Sequence, residues 1–122
     1  MVKENGKWHL IDTEGNSLGD GEYANAKAPE SNGYIAVANG EGKWGYINSE
    51  GELVIDYQYK DALSFSNGLG AVKIVDNWGY ISAGNSLVIE DLWSSASPFH
   101  GGIAQVGFAD RISLITLKYY EE

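Results

Sequence analysis

A short motif that recurs about every 35 residues constrains the fold of this chain more than any other feature. Residues 43–47 read Lys-Trp-Gly-Tyr-Ile, residues 77–81 read Asn-Trp-Gly-Tyr-Ile, and residues 7–11 form a weaker copy with His9 in place of Gly. A further step of 34 residues leads to Ile112, where the motif has lost its Trp. Repetition at a fixed period is the signature of an array of like structural units. We therefore predict one repeat domain spanning residues 1–122, with units at about 7–40, 41–75 and 76–109 and a partial unit at 110–120.

The pattern within each unit favours β-strands over helix. In Trp44–Ile47 the aromatic residues Trp44 and Tyr46 alternate with Gly45 and Ile47, which is the period of two expected of a strand. A polar run containing Gly51 separates it from Leu53–Ile55, as in a hairpin that needs one residue at positive φ. Gly15 and Asn85 hold the place of Gly51 in the other units, and both tolerate that conformation.

These patterns predict an all-β fold made of three-stranded units of about 35 residues in tandem. The third strand of the second unit is expected from Leu69 to Val75, and a closing C-terminal strand from Ile112 to Tyr120. The units could form an open twisted array or a propeller-like ring. Three units are few for a closed propeller, so the open array is favoured.

The repeated aromatic residues and glycines are interpreted as structural. A unit of this size cannot bury its own apolar face, so each Trp is expected to fill the space between neighbouring units rather than stack on a ligand. Gly45 and Gly79, which follow Trp44 and Trp78, are expected to let a neighbouring backbone approach closely, whereas Trp8 is followed by His9. The residues assigned to structure are Trp8, Trp44, Gly45, Gly51, Phe65, Trp78, Gly79 and Phe99.

The second unit resembles a known bacterial repeat. The residues that carry the resemblance are Lys43–Ile47, Gly51, Leu53–Ile55, Tyr59, Ala62, Phe65, Gly68 and Val72. Together they resemble the WG repeat, also called the KWG repeat, and the resemblance extends over nearly the whole chain. It implies tandem β-rich modules with a binding or scaffolding role. The resemblance implies no catalytic residue.

Composition narrows the possible chemistry. The chain has no Cys, so disulfide frameworks, thiol nucleophiles and Cys-ligated metals are excluded. Its 8 Lys and Arg against 17 Asp and Glu give a net charge of −9, which disfavours direct binding to nucleic acid or to a membrane surface. His9 and His100 stand at unrelated places in their units, so no metal site is predicted. We expect no cofactor, no enzymatic activity and, since no signal peptide or membrane span is evident, a cytoplasmic location.

Three functional hypotheses remain open. The first is a non-enzymatic protein-binding module that presents an acidic surface to a partner protein, which we expect to have a basic surface. The second is a small acidic inhibitor or nucleic-acid mimic of the phage type, which blocks a basic nucleic-acid-binding cleft. The third is a carbohydrate-binding module that uses Tyr34, Tyr57, Tyr119 and Tyr120 as stacking faces.

Repeated carboxylates are the residues most specific to this chain. Alignment of the units places Asp20, Asp56 and Glu90 at one position, and Glu22, Asp61 and Asp91 flank them. Stacked units would bring equivalent residues into a column along one edge. Such a column either keeps an exposed edge soluble or steers a Lys- and Arg-rich partner. These six acids are therefore the predicted partner-binding residues.

Overall fold

The computed structural model describes residues 2–4, 6–12, 14–16, 22–27, 33–108 and 111–116. Within these ranges the chain forms strands and turns and no helix. The strands are β1 Val2–Glu4, β2 Lys7–His9, β3 Asn25–Ala26, β4 Ile35–Ala38, β5 Trp44–Ile47, β6 Leu53–Tyr59, β7 Asp61–Ala62, β8 Leu69–Lys73, β9 Trp78–Ser82, β10 Leu87–Trp93, β11 Ser95–Ala96, β12 Ile103–Phe108 and β13 Arg111–Thr116.

The strands form four antiparallel sheets in chain order. The first sheet is β1-β2, the second β3-β4-β5-β6, the third β7-β8-β9-β10 and the fourth β11-β12-β13. No strand pairing among the described residues closes the series into a barrel. The predicted all-β tandem repeat is therefore confirmed.

The boundaries of the sheets do not coincide with the boundaries of the sequence repeats. The second unit contributes β5 and β6 to the second sheet, and β7 and β8 to the third. The chain passes between these sheets at the single residue Lys60, and between the third and fourth sheets at Ser94. The second and third units thus each have a fourth, two-residue strand besides the three predicted. Two residues are too few for an alternating pattern to reveal.

The described residues form three apolar cores, one between each pair of successive sheets. Because side chains alternate between the two faces of a strand, one strand can contribute to two cores. On β4, Ile35 and Val37 belong to the core next to the first sheet, whereas Ala36 and Ala38 belong to the core next to the third. Every residue of β4 and β5 is buried. The last core joins the third and fourth sheets and includes Leu69, Ala71, Tyr80, Phe99, Ala104 and Val106.

Two tyrosines, Tyr46 and Tyr80, each extend from one sheet to the backbone that leads into the next. Tyr46 has no exposed surface, and its hydroxyl donates a hydrogen bond to the Leu63 carbonyl oxygen at 2.8 Å. Its ring meets Phe65 edge-on, with 4.7 Å between centroids. Tyr80 repeats this arrangement, because its hydroxyl donates to the Ser97 carbonyl at 2.7 Å and its ring contacts Phe99 at 4.9 Å. The sequence analysis expected Trp to fill the space between units and did not single out these tyrosines.

The tryptophans of the repeated motif also pack against the cores between the sheets. Trp44 is buried in the core between the second and third sheets. Trp8 and Trp78 are half-buried and pack against the first and last cores. Each Trp thus contacts an inter-sheet core, and the depth of burial differs from unit to unit.

The hairpin turns follow the predicted chemistry. Gly15, Gly51 and Asn85 have φ values of 88°, 84° and 62°, so the positive φ expected at these three positions is present. The Asn48 side-chain oxygen accepts hydrogen bonds from the backbone N–H groups of Glu50 and Glu52, both at 2.9 Å. That Asx arrangement fixes the turn before β6.

Gly45 and Gly79, the glycines that follow Trp44 and Trp78, each face an irregular neighbouring strand. The pairing of β5 with β6 and that of β9 with β10 both contain register shifts. A Cβ atom on Gly45 would lie 2.4 Å from the Ile55 carbonyl oxygen, and one on Gly79 would lie 2.8 Å from that of Ile89. The predicted close approach of backbone is therefore confirmed, and only glycine fits it.

Two predicted strand ends need adjustment. β8 ends at Lys73 rather than at Val75, because residues 74–77 bend to begin the turn into β9. The closing strand is present as Arg111–Thr116, and the predicted extension to Tyr120 lies outside the described residues. In the described part of the chain, no helix has the length and apolar character needed to cross a membrane.

Candidate protein-interaction surface

The repeated carboxylates that the structure describes lie on equivalent edge strands. Asp56 is on β6, at the edge of the second sheet, and Glu90 is on β10, at the edge of the third. Both are exposed. Glu22 is also exposed, directly before the buried Tyr23, whereas Asp20 lies outside the described residues.

The flanking aspartates, Asp61 and Asp91, are less exposed to a partner than Asp56 and Glu90 are. Asp61 is half-buried on β7, and its Oδ1 lies 3.4 Å from the Lys27 ammonium. The same oxygen accepts a hydrogen bond from the Ala62 N–H at 2.8 Å. Asn25 makes the equivalent bond to Ala26 in the preceding sheet, so the residue at this position stabilises the short strand.

Lys27 links this acid to the core. Its ammonium lies over the Trp44 ring, 5.1 Å from the centroid, as well as against Asp61. A cation placed over Trp is attracted by the ring quadrupole. Part of the charge of Asp61 is thus neutralised within the chain. Asp91, on β10, is also half-buried.

Exposed apolar side chains lie on the same two strands as the exposed acids. Leu53 and Val54 on β6 are 48% and 39% exposed, and Leu87 and Val88 on β10 are 46% and 55% exposed. We call the set of six the edge-strand surface. It consists of Leu53, Val54, Asp56, Leu87, Val88 and Glu90.

The apolar half of this surface went unnoticed in the sequence analysis, although the sequence carries a signal for it. Leu53, Val54 and Ile55 are three consecutive apolar residues on one strand. Side chains alternate between the two faces of a strand, so three in a row cannot all face one core. Ile55 is buried and Leu53 and Val54 are exposed, and the pairing of β6 with β5 has a register shift between Leu53 and Ile55.

Asp56 is held by its own backbone. Its Oδ1 accepts a hydrogen bond from the Tyr57 N–H at 2.8 Å, which fixes the carboxylate at the edge of the sheet. The Gln58 side-chain amide donates to the Asp56 carbonyl oxygen at 3.3 Å. The carboxylate therefore has a defined position on the surface.

Other chemistry has little support in the described part of the chain. Among these residues no group of three or more His, Asp or Glu is placed to hold a metal ion. Tyr34 and Tyr57, two of the proposed sugar-stacking residues, are half-buried and pack against the cores. The other two, Tyr119 and Tyr120, lie outside the described residues.

Comparison with known families identifies the repeat. The model of the WG containing repeat matches residues 44–77 and 78–108, which together make up more than half of the chain. Both matched segments begin at a Trp and end just before or within the next repeat, as the sequence periodicity predicts. No curated protein and no solved structure matches the chain.

Proposed function

The chain belongs to the WG-repeat family, and from this premise we propose that it is a non-enzymatic protein-binding module whose edge-strand surface contacts a basic face of a partner protein. Repeat modules of this kind offer extended surfaces built from equivalent positions in successive units. Here the equivalent positions combine a carboxylate with two apolar side chains.

The observation that carries the proposal is the repetition of this combination on β6 and β10. Asp56 and Glu90 are exposed at equivalent positions, each two residues after an exposed Val. Exposed apolar area that becomes buried supplies affinity, and charge at its border supplies orientation and rate. A partner with Lys or Arg around an apolar patch fits both requirements.

The charge of the whole chain adds to the effect of this surface. A net charge of −9 creates a negative field that attracts a cationic partner before contact. Such steering raises the association rate and weakens as salt screens the charges. We therefore expect the association rate to fall steeply with ionic strength and the dissociation rate to change little.

A second candidate is the acidic inhibitor or nucleic-acid mimic. The same exposed carboxylates and the same net charge favour it, since both resemble the charge of a phosphate backbone. It differs in the role of the apolar residues, because a cleft that binds phosphates has no need of Val54 or Val88. Competition by a DNA or RNA duplex for the captured partner would favour this second candidate.

The test begins with capture of a partner from the native host and measures its binding kinetics. The variant Asp56→Asn with Glu90→Gln removes two charges from the edge-strand surface. The control Glu14→Gln with Glu41→Gln removes two charges from exposed turns elsewhere. The proposal expects slower association for the first variant only, most clearly at low salt. Equal association rates for the two variants would show that only net charge matters.

A second pair of substitutions tests the apolar half. Val54→Ser with Val88→Ser should speed dissociation and leave the salt dependence of association unchanged, because the charges remain. Both side chains are exposed, so folding should be affected little. An unchanged dissociation rate would show that Val54 and Val88 lie outside the interface.

A further inference from the structure

The fourth sheet ends in a strand whose outer edge has no partner among the described residues. β13 pairs with β12 over six consecutive residue pairs without a register shift. The equivalent strands β5 and β9 each pair on both sides. An unpaired strand edge presents N–H and C=O groups that another strand can bind.

Ser113 prevents this edge from accepting a strand of the kind found in the inner sheets. It stands 34 residues after Gly79, at the position where β5 and β9 have glycine. A Cβ at Gly45 or Gly79 would lie 2.4 or 2.8 Å from a carbonyl oxygen of the irregular fourth strand. Ser113 has that Cβ, so the edge of β13 fits a regular strand instead.

The other edges of the second, third and fourth sheets are protected, and the two strands of the first sheet are only three residues long. β3, β7 and β11 are two residues long. β6 and β10 pair irregularly and contain Asp56 and Glu90. Short length, irregular pairing and charge are the usual means by which proteins prevent pairing between edges.

β13 lacks these protections. It is six residues long and regular, and it is uncharged apart from Arg111 at its start. Ile112 and Leu114 on its outward face are 71% and 68% exposed. They occupy the positions of Trp and Tyr in the earlier repeats, where the next sheet covers them.

We propose that β13 pairs antiparallel with β13 of a second copy of this chain, which joins two fourth sheets into one continuous sheet. The strand that the edge accepts must be regular, since Ser113 excludes the irregular kind, and β13 is itself such a strand. In a chain of net charge −9, this segment without acids is also where two copies approach with little repulsion.

The geometry of the pair follows from strand alternation. Residues that face each other across antiparallel strands lie on the same side of the sheet. The two-fold axis therefore passes between two copies of one residue, which near the middle of β13 is Ser113 or Leu114. The exposed side chains of Ile112 and Leu114 then form one apolar band across both copies. The proposal is independent of the edge-strand surface, which lies on other sheets.

Sedimentation equilibrium over a wide concentration range tests the association. The wild-type mass should rise from 13.2 kDa toward twice that value. Leu114→Lys should weaken dimerisation at least about tenfold, because like charges would meet near the axis. Leu114 is exposed, so the variant should remain folded and retain partner capture. A monomer at every concentration, or a Lys variant that dimerises like wild type, overturns the proposal.

Single cysteines distinguish edge pairing from face-to-face stacking, because the chain has no Cys of its own. Under mild oxidation, Ser113→Cys or Leu114→Cys should cross-link two copies fastest, and the neighbouring positions more slowly. Val75→Cys, exposed in a bend remote from β13 in sequence, is the control. Equal rates at Ile112→Cys, Leu114→Cys and Thr116→Cys with none at Ser113→Cys would indicate stacking and refute the pairing. Rates no faster than the control would also refute it.

Discussion

Replacement of Tyr46 by Phe removes one hydroxyl from the joint between the second and third sheets and keeps the ring. The hydroxyl donates to the Leu63 carbonyl at 2.8 Å and lies 3.3 Å from the Ala71 carbonyl. Ala71 would keep a donor, because its carbonyl also accepts the Leu63 N–H at 2.9 Å. The Leu63 carbonyl would lose its bond in a part-buried place. Leaving such a group unsatisfied costs about 1–3 kcal/mol.

Urea titration of wild type and variants measures this cost. Tyr34→Phe is the matched control, because its ring also contacts Phe65, at 5.2 Å, while its hydroxyl makes no hydrogen bond within the described residues. We expect the control to change the free energy of unfolding by less than about 0.5 kcal/mol. Tyr80→Phe should match Tyr46→Phe, since it makes the same type of bond. If Tyr46→Phe costs no more than the control, the hydroxyl does not hold the sheets together.

Other perturbations of the same joints have calculable outcomes. Trp44→Ala should lower the free energy of unfolding by about 3–5 kcal/mol in denaturant titration, and Trp78→Ala by less, because Trp78 is only half-buried. Gly79→Ser should cost about 1–3 kcal/mol in the same assay, since its Cβ would press on a backbone carbonyl. Burial raises the pKa of Tyr46 well above its usual value and that of Tyr80 to about 12. Folded protein therefore retains protons that the unfolded chain loses near pH 10, so stability should fall as pH rises from about 10 to 12 and be intact below. Urea midpoints measured across that pH range check this, and a flat profile would contradict it.

The repeat, the strands and the turns could be predicted because they depend on local chemistry. A Gly or Asn near the end of a hairpin turn, such as Gly51 or Asn85, indicates a positive φ. The alternation along Trp44–Ile47 is likewise a property of the strand itself. The assignment of strands to sheets depends on pairing between distant residues. Two-residue strands such as β7 leave no pattern in the sequence, so the phase of the sheets could not be predicted.

The candidate site was predictable in part for a similar reason. Asp56 and Glu90 could be aligned by their spacing, and they do lie on equivalent strands. The ion pair of Asp61 with Lys27 joins residues 34 positions apart through the fold, so no local pattern indicated it. The sequence analysis assigned the packing between units to the larger Trp and did not single out Tyr46. The Tyr46 hydroxyl matters because it donates a hydrogen bond to the Leu63 carbonyl, and that contact depends on the fold.

The single-residue connections between sheets give the array mechanical stiffness. Lys60 and Ser94 are bonded into the following sheet, since their N–H groups donate to the carbonyls of Lys73 and Gly107 at 2.9 and 2.8 Å. A connection of one residue has two rotatable backbone torsions, and here these bonds restrain them. Tension or torque applied to one sheet therefore passes to its neighbour without a hinge to absorb it. Equivalent positions on successive sheets are therefore kept at separations that depend on the number of repeats between them.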